Sequence, residues 1–153
     1  MTEAERSGVH ITHPRLPLAA GDLALLLGLA VLAVPTVLAL GQQVWTTEAG
    51  AHGPIVLAVG AWLLVRGLAS VKPLVKPGSL ALTAAGLLVS LCVYVFGRAF
   101  DFLSLEVAGL YGAGVSVLYS RVGLRALVHI WFPVAYLAFL VPPPGWLMDQ
   151  LTG

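Results

Sequence analysis

The chain contains one cysteine, Cys92, and only 10% of its residues are charged. A lone thiol excludes an intrachain disulfide and says little about redox compartment. No Cys/His cluster has metal-ligand spacing, so no metal is expected, and no other cofactor is implied. The formal charge of +1 is close to neutral. With no long basic run and no basic-aromatic interleave, nothing supports a nucleic-acid partner. Gly109 and Gly112 follow no strand and lead to no Lys-Ser/Thr, so they form no phosphate loop.

What is present is apolar: 59% of residues are hydrophobic and the mean hydropathy is +0.95. A chain of 153 residues with so little charge cannot hide these side chains in one soluble core and still present a polar exterior. It reads as an integral membrane domain in contact with the lipid bilayer, an all-α polytopic helix bundle of about five spans. A hydrocarbon core about 30 Å thick needs about 20 helical residues. Residues 1–21 carry Glu3, Glu5, Arg6, Arg15, His10 and His13 and read as an amino-terminal arm. The bundle then occupies 22–153, with spans expected over 22–41, 53–65, 79–97, 102–120 and 122–141. Pro35 is expected to bend the first span, and Pro54 to sit at the first helical position of the second. Pro142-Pro143-Pro144-Gly145 stops the fifth. The Ala39-Leu40-Gly41 step has the small-x-small look of a signal cleavage site. The preceding apolar run is longer than an ordinary signal core, however, and further spans follow it.

Charge distribution predicts sidedness. Arg6, Arg15, Arg66, Lys72, Lys76, Arg121 and Arg125 fall on the arm and on alternate connections, which places them and the amino terminus in the cytoplasm. The Glu48–His52 connection and the carboxyl terminus then face outward, into the periplasm, with Arg98 as the exception. Trp45, Tyr94, Phe96, Phe100, Phe102 and Trp146 are expected to form the outer aromatic belt.

Ionisable residues within spans are functional candidates because they are costly to bury. Glu106 lies about four residues from the outer end of its span, about 6 Å deep at 1.5 Å per residue. The structural expectation for it is a pairing with Arg98 or a hydrogen bond to Tyr111. Arg125 enters from the opposite side and can snorkel, so no Glu106–Arg125 pair is expected. His129 lies one turn beyond Arg125 and reads as a packing hydrogen-bond donor, with a proton carrier as the alternative. Ala108, Gly109, Gly112, Ala113 and Ser116 form a small-residue face for a packing partner helix. Cys92 sits in an apolar helix with no basic neighbour to lower its pKa, so it reads as an inert thiol.

Two stretches go beyond hydropathy. Glu48-Ala49-Gly50-Ala51-His52-Gly53-Pro54, followed by a helix ending Trp62-Leu63-Leu64-Val65-Arg66, resembles the first outer connection and second helix of exosortases. Trp131-Phe132-Pro133-Val134-Ala135-Tyr136-Leu137-Ala138-Phe139-Leu140-Val141-Pro142-Pro143-Pro144 resembles that family's Phe-Pro, aromatic-apolar, Pro-x-Pro segment, and Trp146-Leu147-Met148 continues the likeness. The resemblance covers about 21–153. It implies a multi-pass protein of the bacterial inner membrane whose partners are the carboxyl-terminal sorting signals of exported proteins, cut by a cysteine peptidase or transpeptidase.

The family's nucleophile belongs to an Ala-Cys-Ser-Gly type motif downstream of the Pro-x-Pro segment, with Arg and His further on. None of these lies within this sequence, so no catalytic residue is carried over to it. The expectation is an amino-terminal membrane portion that is inactive alone, with Glu48, His52 and Glu106 as candidates for lining a substrate groove. Two alternatives belong to other classes. One is a complete, non-enzymatic membrane protein acting as an assembly or partner subunit. The other is half a transporter with Glu106 and His129 as a proton route, which inverted repeats or paired broken helices would support. Neither feature is visible.

Overall fold

Where lipid offers the backbone no hydrogen-bond partners, each crossing segment has to satisfy its own amides, and the helix is the local solution. The structure, a computed structural model, describes residues 20–48, 50–143 and 150. The rest of the amino-terminal arm and the tail around Trp146 lie outside the described residues. The helices are α1 (Ala20–Gln43), α2 (Gly53–Ser70), α3 (Leu80–Ala99), α4 (Leu103–His129) and α5 (Trp131–Leu137). Short 3-10 turns follow α2 (Lys72–Leu74) and α5 (Ala138–Leu140). Among the described residues there is no strand. Helices α1 to α4 are long and apolar enough to cross a membrane, and Trp131–Leu140 adds a shorter apolar helical stretch.

Two features differ from the sequence pattern, the end of α2 and a break inside α4. Helix α1 stays helical through Pro35, although that residue supplies no amide to the preceding turn. Helix α2 continues to Ser70 rather than ending at residue 65. Arg66 therefore lies on the helix instead of in the connection, its guanidinium 5.3 Å from the centre of the Trp62 ring one turn back. A long cationic side chain can reach the interface from inside a helix, so a charge alone does not mark the end of one.

The second difference lies at Gly123, where φ 74 and ψ 174 interrupt α4. This conformation is essentially restricted to glycine. The break leaves the carbonyls of Ser120 and Val122 for other donors, and the connection from α2 supplies them. Gly78 N–H donates to Ser120 (3.1 Å) and Lys76 N–H to Val122 (3.2 Å). The chain then doubles back. Tyr111 Oη donates to the Val134 carbonyl at 2.7 Å, and these two residues lie at nearly equal sequence distances on either side of Gly123.

The segment expected as a fifth span is thus assembled from residues 124–129, Trp131–Leu137 and Ala138–Leu140, not from one continuous helix. Pro133 accounts for the gap at Ile130. It cannot donate an amide to the preceding turn, but it fits in the first turn of a new helix, where that amide has no intrahelical partner.

Small residues set the register of the α3–α4 hairpin. A Cβ on Gly86 would meet Ser116, one on Gly112 would meet Ser90, one on Gly109 the backbone of Tyr94, and one on Gly97 the backbone of Glu106. The helices run antiparallel with their backbones in close approach, as packing within lipid favours. The small face on α4 is therefore occupied by α3. Helix α2 packs on α5 in the same way: Gly67 meets Ile130 and Pro133, and Gly60 meets Tyr136 and Leu137. Val71, Val122, Ala126 and Ile130 form a buried cluster that ties the α2–α3 connection to the turn at Gly123. Large side chains such as Leu27, Val31, Leu80, Leu88 and Trp131 point outward, which is the expected pattern where lipid is the solvent.

Helices α1 to α4 and the shorter apolar stretch after Gly123 alternate in direction and give the bundle two ends. One carries Arg98 and the α1–α2 and α3–α4 turns; the other carries Arg121 and the Gly123 turn.

Candidate functional site

At the Arg98 end, the α3–α4 turn brings two charges together across a short loop. Arg98 occupies the last turn of α3 and Glu106 the first turn of α4, so each charge complements the dipole of its own helix. The turn passes through Asp101 at φ 56, a left-handed conformation that Asp tolerates better than most residues. A bond from Phe102 N–H to the Gly97 carbonyl (2.8 Å) closes it, the 6→1 pattern of a Schellman helix end.

Arg98 Nη1 donates to Glu106 Oε1 at 2.9 Å. Thr36 on α1 reaches the same oxygen with its hydroxyl at 2.7 Å. Thr36 is 0% exposed and Glu106 6%. The Thr36 hydroxyl has one proton, and the carboxylate is the shortest and only charged acceptor near it. That leaves the Leu32 carbonyl, 3.0 Å from Thr36 Oγ1, to accept from the buried Tyr94 Oη at 3.2 Å. Tyr94 Oη also lies 3.3 Å from Thr36 Oγ1. Three helices are therefore joined through one carboxylate, with no buried side-chain polar atom lacking a partner among the described residues.

Arg98 and Glu106 of this network line a cavity of about 710 Å³ together with Pro35, Leu38, Ala39, Gln42, Gln43, Asp101 and Leu103. Arg98 is the half-exposed partner, with 53% of its side chain accessible, so its guanidinium can turn toward a bound group without abandoning a buried position. Two primary amides, one guanidinium and two carboxylates offer donors and acceptors along a wall that also has apolar patches. That mixture suits an extended polypeptide better than a compact apolar ligand. Among the described residues no group of His, Cys, Asp and Glu is placed to hold a metal.

The three residues singled out in the sequence are not brought together. Glu106 lines the cavity. Glu48 and His52 are exposed on the α1–α2 loop at the same end of the bundle and outside the cavity lining. Of the two partners expected for Glu106, Arg98 is present, whereas Tyr111 is engaged with Val134. Tyr94, expected in the aromatic belt, is buried at 5% and points its hydroxyl into the network, while Phe96, Phe100 and Phe102 are more than half exposed. Thr36 was not singled out at all. Its signal was that it is the one polar side chain between Leu23 and Leu40. Cys92 is exposed on α3, outside the cavity lining. Arg125 and His129 are exposed as well.

These features define a multi-pass helical membrane protein with a polar cavity at one end of its bundle. Residues 44–153 match the family described as transmembrane exosortase (Exosortase_EpsH). The chain belongs to the transmembrane exosortase family. No curated protein and no solved structure matches it. The matched region supplies Arg98, Asp101, Leu103 and Glu106 to the cavity. The α1 wall, with Pro35, Leu38, Ala39, Gln42 and Gln43, precedes that region.

Proposed function

We propose that this chain is the membrane scaffold of an exosortase-type sorting peptidase of the bacterial inner membrane. In this reading the cavity at the Arg98 end receives part of the carboxyl-terminal sorting signal of an exported protein. Family membership over residues 44–153 carries the proposal, and the cavity lined by Glu106 and Arg98 supports its location. The bundle contributes binding and orientation. Gln42 and Gln43 can hydrogen-bond a peptide backbone from one side, with Arg98 and Asp101 on the other. Glu106 holds the guanidinium in place. Family chemistry requires a thiolate attacking a backbone carbonyl to give a thioester. Cys92 is not the group proposed for that step, because it is exposed on α3 and does not line the cavity.

Sidedness follows from charge. Arg66, Lys72, Lys76, Arg121 and Arg125 belong to one end, which the positive-inside rule assigns to the cytoplasm. The cavity and the Glu48–His52 loop then face the periplasm, where exported substrates arrive.

The test uses a photo-crosslinking residue at Leu38 or Leu103 in the full chain, co-expressed with an exported reporter that carries or lacks a sorting signal. A crosslink that depends on the signal is expected at both positions. Equal labelling with and without the signal removes the substrate role. Labelling of Ala51→Cys from the cytoplasmic side, in a Cys92→Ser background, removes the orientation.

A further inference from the structure

The Arg121 end carries a feature that the peptidase reading does not use. Five cations, Arg66, Lys72, Lys76, Arg121 and Arg125, are gathered there against one described carboxylate, Asp22. Asp22 is committed to Arg121 at 2.9 Å. Arg66 lies over the Trp62 ring. Lys72, Lys76 and Arg125 are exposed and, among the described residues, have no carboxylate in ion-pair contact. They are not scattered, because the fold pins their backbones to one place. Lys76 N–H bonds the Val122 carbonyl, Val71 next to Lys72 packs with Val122 and Ala126, and Arg125 adjoins Ala126 just past the Gly123 turn. The turn and the connection that caps it thus hold at one junction three cations that no described carboxylate pairs, where the helices leave the apolar region.

We propose that this junction binds the phosphate headgroup of an anionic phospholipid, with Lys72, Lys76 and Arg125 as its ligands. Three cations held at a helix junction at the membrane surface match a phosphate embedded in the same interface, and each such charge adds several-fold to anionic-lipid binding. Lys supplies a compact point charge and Arg a planar fork, both suited to phosphate oxygens. The apolar shoulders of the site are already present, since Leu74 and Leu124 are exposed beside the cations and can meet acyl chains.

The experiment is native mass spectrometry of the purified full chain in detergent containing equal amounts of phosphatidylglycerol and phosphatidylcholine. The protein is expected to retain phosphatidylglycerol selectively. The triple variant Lys72→Gln, Lys76→Gln, Arg125→Gln should weaken that retention about a hundredfold, at several-fold per charge. The charge-keeping variant Lys72→Arg, Lys76→Arg, Arg125→Lys should preserve it. Should the glutamine triple variant fail to insert, the single Lys76→Gln on the exposed connection carries the test, with about a fivefold loss. Equal retention of the two lipids overturns the proposal, as does unchanged selectivity in a correctly folded glutamine variant. Displacement of the lipid by millimolar inorganic phosphate also overturns it, and would assign the junction to a soluble phosphate compound instead.

Discussion

Helix α1 is tied to α4 twice, by Thr36 to Glu106 at one end and by Asp22 to Arg121 at the other. The two ties are about equally far apart along each helix, about 21 Å at 1.5 Å per residue, which is two-thirds of a hydrocarbon core. Yet they differ in kind. At the Arg98 end the carboxylate is buried and its oxygen is shared by a guanidinium and a hydroxyl. At the Arg121 end both partners keep contact with solvent, at 38% and 25% side-chain exposure. The first arrangement fixes a polar group where an unpartnered one would be costly. The second can be lost and replaced by water. The Arg98 end is therefore organised around a site, and the Arg121 end around a backbone turn with cations on its rim.

That difference predicts where the bundle breaks first. The most damaging single change should be at the turn, not at either ion pair. Gly123→Ala places a Cβ against the Lys76 carbonyl in a conformation that side-chain-bearing residues avoid. A strained residue of this kind costs about 1–3 kcal/mol before any clash. A loss of at least about 3 kcal/mol is expected in reversible unfolding from mixed micelles. A loss under about 1 kcal/mol would show that the turn is free to reshape.

Next comes the buried network. Glu106→Ala removes the acceptor from Thr36 and Arg98 together. Hydrogen bonds to a charged group contribute about 1.5–3 kcal/mol, and Arg98 regains water because it is half exposed, so a loss of about 2 kcal/mol is expected. Thr36→Val should cost about 1.5 kcal/mol on the same grounds. The double variant should cost clearly less than the two single losses combined, since both remove one bond. Strict additivity would mean that the Thr36–Glu106 bond does not form in the membrane. By contrast, Arg121→Gln should cost no more than about 1 kcal/mol, the range of exposed ion pairs, and less still at high salt. A larger, salt-independent loss would make the two ends equivalent.

The same contrast explains what the sequence revealed. The helical class and the four long apolar segments were legible, because hydrocarbon thickness acts on composition directly. The small-residue face on α4 was legible too, although its partner proved to be α3. The Arg98–Glu106 pair could be anticipated because eight residues and one turn separate the partners. The Thr36 bond spans 70 residues, and no local pattern encodes which helix packs beside which. The fragmentation of the last apolar stretch was hidden for a different reason. Val122–Val141 is uniformly apolar apart from Arg125 and His129, so hydropathy ran smoothly through Gly123 and Ile130 while backbone geometry did not.

The smallest effect expected is also the one that best separates stability from function at the Arg98 end. Asp101 takes φ 56, where glycine carries no steric penalty. Its N–H and C=O lie in a helix-end turn that glycine usually occupies. If Asp101 served the turn alone, glycine would be the better residue. The side chain lines the cavity, which gives a reason to retain a less comfortable backbone. Asp101→Gly is therefore expected to raise stability by about 0.5–1 kcal/mol, while signal-dependent crosslinking at Leu103 falls. A variant that is more stable and crosslinks as well as the parent would show that the carboxylate has no part in binding. A variant that is less stable would mean that Asp101 anchors the turn through its side chain, and the cavity would then lose its claim to that residue.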